Sequence, residues 1–334
     1  MQDRADFRRN TNTTESQRGI ALLLVLWVLT ILMVIVLSFT FMARTETQAT
    51  LSFKEGTEKK FIAEAGMERG IMELFYRNVY KGQSIEFEGS EVWKTDGTLY
   101  SSPIGDGYYT VRIIDESGKL DINTVNDVVL KNLLINIGVQ EEEVDTIVDS
   151  IMDWKDPDDL HRLHGVESDY YMSLPNPYNA KNANFDTVEE LLLVKGVTPE
   201  ILYGSASDGE KRGIIDFLTV NSNRSRINVN AAPKEVLMAI PGMTPEIADT
   251  IIDYRQNKEI GNILEVGGIP AEDVNLMAPY IDTSGSITFG IEAVGHKGGE
   301  KNEKGGYAIK ATVMIAGSNI FKYVYYKSPA NIKQ

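Results

Sequence analysis

The chain has 334 residues, enough for two or more modest domains, and 43% of them are apolar, enough to bury a core. Its 33 Lys and Arg against 48 Asp and Glu leave a net charge of −15, which argues against general nucleic-acid binding and leaves divalent cations and basic partners open. There is no cysteine, which excludes disulfides, thiolate metal sites and cysteine nucleophiles.

Ile20 to Ala43 reads IALLLVLWVLTILMVIVLSFTFMA, with Thr30, Ser38 and Thr40 as its polar residues and Arg44 at its end. As a helix it measures roughly 36 Å, against a hydrocarbon core of about 30 Å. A cleaved secretory signal has an apolar region of only about 7–15 residues, so the run reads as an uncleaved transmembrane anchor. Arg4, Arg8, Arg9 and Arg18 precede it, against Asp3, Asp6 and Glu15. The positive-inside bias places residues 1–19 in the cytoplasm and the bulk of the chain outside.

The junction Gln17-Arg18-Gly19, followed by Ile20-Ala21-Leu22, resembles the prepilin peptidase site of type IV pilins and pseudopilins. The resemblance implies a cytoplasmic leader cut after Gly19, with Ile20 as the mature, methylated amino terminus. Most members of that family carry a glutamate at the fifth mature position, which here is Leu24. A carboxylate there costs several kcal/mol in lipid unless it is paired. Members of the K type of minor pseudopilin lack it, which suits a subunit with no neighbour above.

The helix is expected to continue through FIAEAGMERGIMELFYRNVY, where Phe61, Ala65, Met72 and Phe75 keep a 3–4 residue spacing. Gly56, Gly66 and Gly70 are expected to weaken or bend it. Strand-like alternation follows in Tyr108–Ile114 and returns in Ser286–Val294, Tyr307–Ala316 and Ile320–Tyr326, the last two joined by a Gly317-Ser318-Asn319 turn. His296–Gly306 reads as a loop. The fold class is therefore α+β: a pilin-like long helix on a small antiparallel sheet, split by a large all-helical insertion. The expected domains are a leader at 1–19, a transmembrane helix at 20–43, the pilin-like helix and first strands at 44–119, the insertion at 120–282 and the last strands at 283–334.

The insertion repeats itself. Residues 184–201, NFDTVEELLLVKGVTPEI, align without gaps to 230–247, NAAPKEVLMAIPGMTPEI. A looser copy starts at Asn126, with Gly138 at the matching offset, and a degenerate one covers Ile263–Asp273. Each unit reads as helix, glycine turn, helix, with Thr198 and Thr244 as caps and Pro199 and Pro245 at the first helical position. The pattern resembles helix-hairpin-helix units, which often bind DNA, so a membrane-anchored DNA receptor is the alternative reading. Against it, the second turn glycine is replaced by Thr198 or Thr244, and the proline that follows has no N–H to offer a phosphate. Residues 120–282 also hold 12 Lys and Arg against 29 Asp and Glu, a net of −17. No nucleic-acid partner is expected.

Further stretches follow the order of the minor pseudopilin K family of type II secretion systems. They are Asp115-Glu116-Ser117-Gly118-Lys119-Leu120 with Ile122-Asn123, Asp153-Trp154-Lys155-Asp156, Gly165-Val166-Glu167 with Tyr170-Tyr171, and Ile227-Asn228-Val229-Asn230-Ala231. The resemblance implies a subunit of the bacterial inner membrane with its bulk in the periplasm. It also implies prepilin peptidase, the minor pseudopilins I and J and the major pseudopilin as partners. The implied role is to initiate and cap the pseudopilus. A minor pilin of a type IV pilus is a related possibility.

Asp153, Asp156, Asp158 and Asp159 crowd around Pro157, with Glu167 downstream. Carboxylates without His or Cys suit a hard cation, calcium above all, although the spacing is not that of an EF-hand. The family resemblance implies calcium in this insertion; the competing reading is a solvated acidic loop. His161 and His164 lack a convincing third ligand and read as surface residues. No nucleophile elbow, zinc-protease motif or phosphate loop is present, so catalysis and an organic cofactor are not expected. A membrane-anchored hydrolase using an acidic pair stays as a third class. Trp93, Trp154, Tyr170, Tyr171 and Tyr178 serve either the insertion's core or a partner.

Overall fold

The computed structural model describes residues 13–79, 93–204, 212–298, 305–317 and 320–332. The chain forms two compact units, residues 1–58 and 59–334. Helix α1, Thr13–Val79, begins in the first and ends in the second. In the first unit the side chains of Ile20–Ala43 are uncovered by the chain itself, and the helix is long and apolar enough to cross a membrane. Leaving so many large apolar side chains in water is costly, so another apolar phase must cover them. Residues 1–12 of the expected leader lie outside the described residues; 13–19 are helical.

In the second unit α1 buries Ala63, Met67, Ile71 and Leu74, one face at helical spacing. That face packs on Val111, Ile113, Ile291, Ala293, Ile309, Ala311 and Val313 of a sheet. Gly66 and Gly70 do not break the helix. A Cβ at Gly66 would sit 3.1 Å from Tyr109 and Val111, and one at Gly70 would sit 3.1 Å from Ile291. Helix and sheet approach closely at these glycines, and packing outweighs their poor helix propensity.

The sheet comprises β1 (Asp96–Ile104), β2 (Gly107–Asp115), β7 (Thr288–Lys297), β8 (Tyr307–Ile315) and β9 (Phe321–Lys327), in that spatial order and antiparallel throughout. β2 and β7 pair continuously from Gly107↔Lys297 to Asp115↔Phe289, although everything between β2 and β7 in the chain lies elsewhere. β7 takes in His296 and Lys297, which the sequence reading placed in a loop. The reason is burial: His296 is covered and stacks on Tyr108 of β2, ring centroids 4.6 Å apart. The remainder of that expected loop, at 299–304, and Ser318-Asn319 of the expected turn lie outside the described residues.

Between β2 and β7 the described residues form four hairpins. They are α2 (Asp127–Asn136) with α3 (Glu141–Lys155); a 3-10 turn Val188–Leu193 with α5 (Pro199–Tyr203); α6 (Lys234–Leu237) with α7 (Pro245–Asn257); and a 3-10 turn Ile263–Glu265 with α8 (Ala271–Met277). Each turns at a glycine with φ between +84° and +86°: Gly138, Gly196, Gly242 and Gly268. A side chain there would be strained whatever the space. Thr198 and Thr244 cap as expected, accepting from the N–H of Ile201 and Ile247.

The hairpins belong to two similar halves. Each half opens and closes on a short strand, and the two strands pair in parallel. β3 (Leu120–Asp121) pairs with β4 (Leu218–Thr219), and β5 (Ile227–Asn228) pairs with β6 (Ile281–Asp282). In each, an asparagine after the first strand clamps the backbone ahead of the second hairpin. Asn123 donates to Phe185 O and accepts from Phe185 N; Asn230 donates to Ile260 O and accepts from Ile260 N. The strand pairs add to the helical insertion expected from sequence.

Gly70→Leu, which drives a side chain into Ile291, is expected to cost about 1–3 kcal/mol as an overpacked core position. Gly56→Ala, where nothing lies within 4 Å, should leave the thermal midpoint unchanged or slightly raised. Thermal unfolding of the two variants in detergent checks the contrast.

Candidate metal centre

Helix α3 ends at Lys155 because Asp156 adopts an extended conformation and Pro157 follows it. Asp153, one turn from the helix end, is wholly buried. Its carboxylate accepts from Arg162 N at 3.1 and 3.4 Å, which turns the loop back over the helix. Gly165 completes the return. A Cβ there would lie 2.0 Å from Asp153 Oδ2, so only glycine lets the chain pass. The loop then delivers Glu167, 2% exposed, to the start of α4 (Ser168–Met172).

Oxygens of Asp153, Asp156 and Glu167 lie within 4.8 Å of one another. Neither Glu167 oxygen has a hydrogen-bond partner among the described residues, nor does Asp156 Oδ1. A buried, unpartnered carboxylate is costly, and three converging ones more so. The proton affinities record this. Burial first, then the nearby Asp153, Asp156 and Asp159, pushes Glu167 up to about 7. Burial also raises Asp153, opposed by the Arg162 N–H, and raises Asp156, aided by Asp158. Three oxygen donors with no nitrogen or sulfur among them fit a hard divalent cation, which would neutralise the trio and occupy the vacant lone pairs.

The other two candidate ligands are turned to the loop itself. Asp158 Oδ1 accepts from Leu160 N at 2.9 Å, and Asp159 Oδ1 from Asn182 Nδ2 at 3.2 Å. His161 and His164 are exposed; His161 Nε2 lies 3.2 Å from Asp169, and His164 N donates to Asp149. Trp154 and Tyr171 are buried and meet edge to face at 5.1 Å, and Tyr178 stacks on Tyr171 at 5.3 Å. This aromatic group is the core beneath the carboxylates. Trp93 is not part of it: it stacks on Tyr100 of β1, with Arg69 over its ring. Sequence reasoning missed Asp149 and Arg162, and it read Gly165 only as part of a family stretch, not as the residue that lets the loop pass Asp153. Along α1, Gly19 lies within the helix, and Ile20 and Leu24 are exposed.

At the hairpins, the Thr244 hydroxyl is spent on its own helix and Met243 N donates to Ile240 O. With Pro245 next, few turn N–H groups are left for a phosphate.

Residues 113–204 match the family description "Type II secretion system (T2SS), protein K", and residues 222–282 match "Helix-hairpin-helix motif". A type II secretion system protein K from Pseudomonas aeruginosa is 30% identical over 175 residues, 49% of each chain. One from Pectobacterium carotovorum is 26% identical over 200 residues, 55% of this chain and 60% of that protein. The matched region thus spans about half to three-fifths of these relatives. A chain of the GspK-GspI-GspJ complex of the enterotoxigenic Escherichia coli type 2 secretion system has the same fold. It gives a TM-score of 0.57 at 12% identity, over 86% of this chain and all of that one. The motif order read along the sequence, the match at 113–204 and the shared fold converge: the chain is similar to type II secretion system protein K over about half of its length.

Proposed function

We propose that this protein is a minor pseudopilin of a type II secretion machine, that it starts and caps the pseudopilus at its periplasmic end, and that calcium organises its insertion. The observation that carries the first part is helix α1. One element bears an apolar run able to cross a membrane and, further on, the ridge that seats the sheet. Such a helix can pack beside others of its kind when drawn from the inner membrane, which is assembly rather than catalysis. The partners that fit are minor pseudopilins I and J, named in the structural neighbour's complex, together with the major pseudopilin. The tip position is supported by Leu24, which offers no carboxylate to a subunit above, and by the bulk of the insertion. Prepilin peptidase would cut after Gly19.

Calcium is supported by the orphaned oxygens of Glu167 and by the all-oxygen donor set of Asp153, Asp156 and Glu167. A bound ion supplies the positive charge the trio lacks. Asp153 holds the loop through Arg162 N, and Gly165 makes room for its carboxylate.

Three outcomes are expected. Mass spectrometry of protein from cells with prepilin peptidase should show a chain that starts at methylated Ile20; an intact leader, or a cut beyond Ala43, overturns the pseudopilin reading. Leu24→Glu should disturb tip placement, read as reduced secretion or altered co-purification with I and J; no change in either counts against the cap. The third concerns pH. Without metal, the raised Glu167 gives stability that is complete below the unfolded value near 4.5 and is lost as pH rises through about 7. The loss is on the order of 3 kcal/mol. Thermal midpoints in EDTA should fall from pH 5 to 8, saturating calcium chloride should abolish the fall, and Glu167→Gln should remove both the fall and the rescue.

A further inference from the structure

Arg162 stands at the edge of the carboxylate trio, and its guanidinium makes no hydrogen bond among the described residues. Its Nε lies 3.6 Å from Asp153 Oδ1, and its Nη1 lies 3.9 Å from Asp127 Oδ2, at the start of α2. Both separations exceed hydrogen-bond length, so the guanidinium is attracted by the field and not locked by geometry. Its side chain is 44% exposed. The nearby cations are committed elsewhere: Lys155 Nζ donates to Ile122 O and Asn123 O, and His161 faces Asp169. Arg162 therefore carries two separable functions. Its backbone N–H ties the loop to Asp153, and its side chain supplies one positive charge to three crowded anions.

We propose that the Arg162 guanidinium is a built-in counter-ion that competes with the divalent cation and so sets the affinity of the centre. With no metal it screens Asp153; when a cation enters, it withdraws toward Asp127, which lies on another helix and is half exposed. A like charge a few ångströms from the ion opposes binding, and salt weakens that opposition. The inference rests on the calcium reading above.

The test uses the full-length protein in detergent, with calcium chloride titrated by calorimetry. Arg162→Gln keeps the backbone N–H and removes the charge, and should bind calcium about tenfold more tightly at low ionic strength, with a smaller gain in high salt. Arg162→Lys, which restores the charge, should return affinity close to that of the unaltered protein. Arg212→Gln, which removes an equal charge beside Glu235, should change affinity less than about twofold. In EDTA, Arg162→Gln should lower the thermal midpoint, and in calcium chloride it should not. Equal or weaker calcium binding by Arg162→Gln, or a gain matched by Arg212→Gln, overturns the counter-ion while leaving the calcium reading intact. An unaltered protein that takes up no calcium removes both.

Discussion

The pairing of Asp115 with Phe289 is the constraint on which the rest of the second unit depends. β2 and β7 lie side by side in the middle of the sheet that seats α1, so the chain between them must leave and return at the same place. Closing so long a loop is entropically unfavourable unless the loop folds on itself. The two parallel strand pairs meet that demand, since each half of the insertion starts and finishes at one point. Arg224 secures the exit by donating to Ser284 O and Gly285 O, close to where β7 begins. Asp115 secures both ends at once, accepting from Ser117 N on one side and Ser286 N on the other.

The halves differ where the first hairpin passes to the second. In the second half the chain leaves α7 at Asn257 and reaches Asn262, cap of the next turn, at once; Lys258 pairs with Glu265 across that junction at 2.9 Å. In the first half the same junction runs from Lys155 to Thr187 and holds the carboxylate trio and α4. The large apolar side chains that this excursion buries fully are Val166, Tyr171 and Phe185. Three fully buried large side chains are a modest anchor for an irregular segment of this length, and a further tie would add to it. The carboxylates lie where such a tie would join the end of α3 to the start of α4.

The parts legible from the residues were those with a local signal. The apolar run, the Gly and Thr-Pro punctuation of the hairpins and the alternation in β8 and β9 all follow from periods and turn chemistry. β1 escaped because its sequence, DGTLYSSPI, is rich in turn formers and holds its place as an edge strand by pairing with β2. The paired two-residue strands carry no period to read. Among the acidic residues, composition could show crowding but not convergence. Asp153 and Asp156 are near neighbours in sequence, whereas Glu167 joins them only because Gly165 lets the loop fold back. Asp158 and Asp159, equally acidic, are consumed by Leu160 N and Asn182.

The excess acidity of the insertion and the state of Glu167 are two expressions of one field. A net −17 over residues 120–282 surrounds a carboxylate whose proton affinity burial, before any neighbour, raises most. Adding Asp153 and Asp156 makes ionising all three without a counter-charge still less favourable. The same field that opposes ionisation draws cations toward the loop, and more strongly at low salt. On the proposed reading, a proton on Glu167, the guanidinium of Arg162 and an ion from solution would compete for the same charge. Local pH and ionic strength would then decide among them, and the insertion would respond to the solution around it in a way that the apolar contact between α1 and the sheet does not.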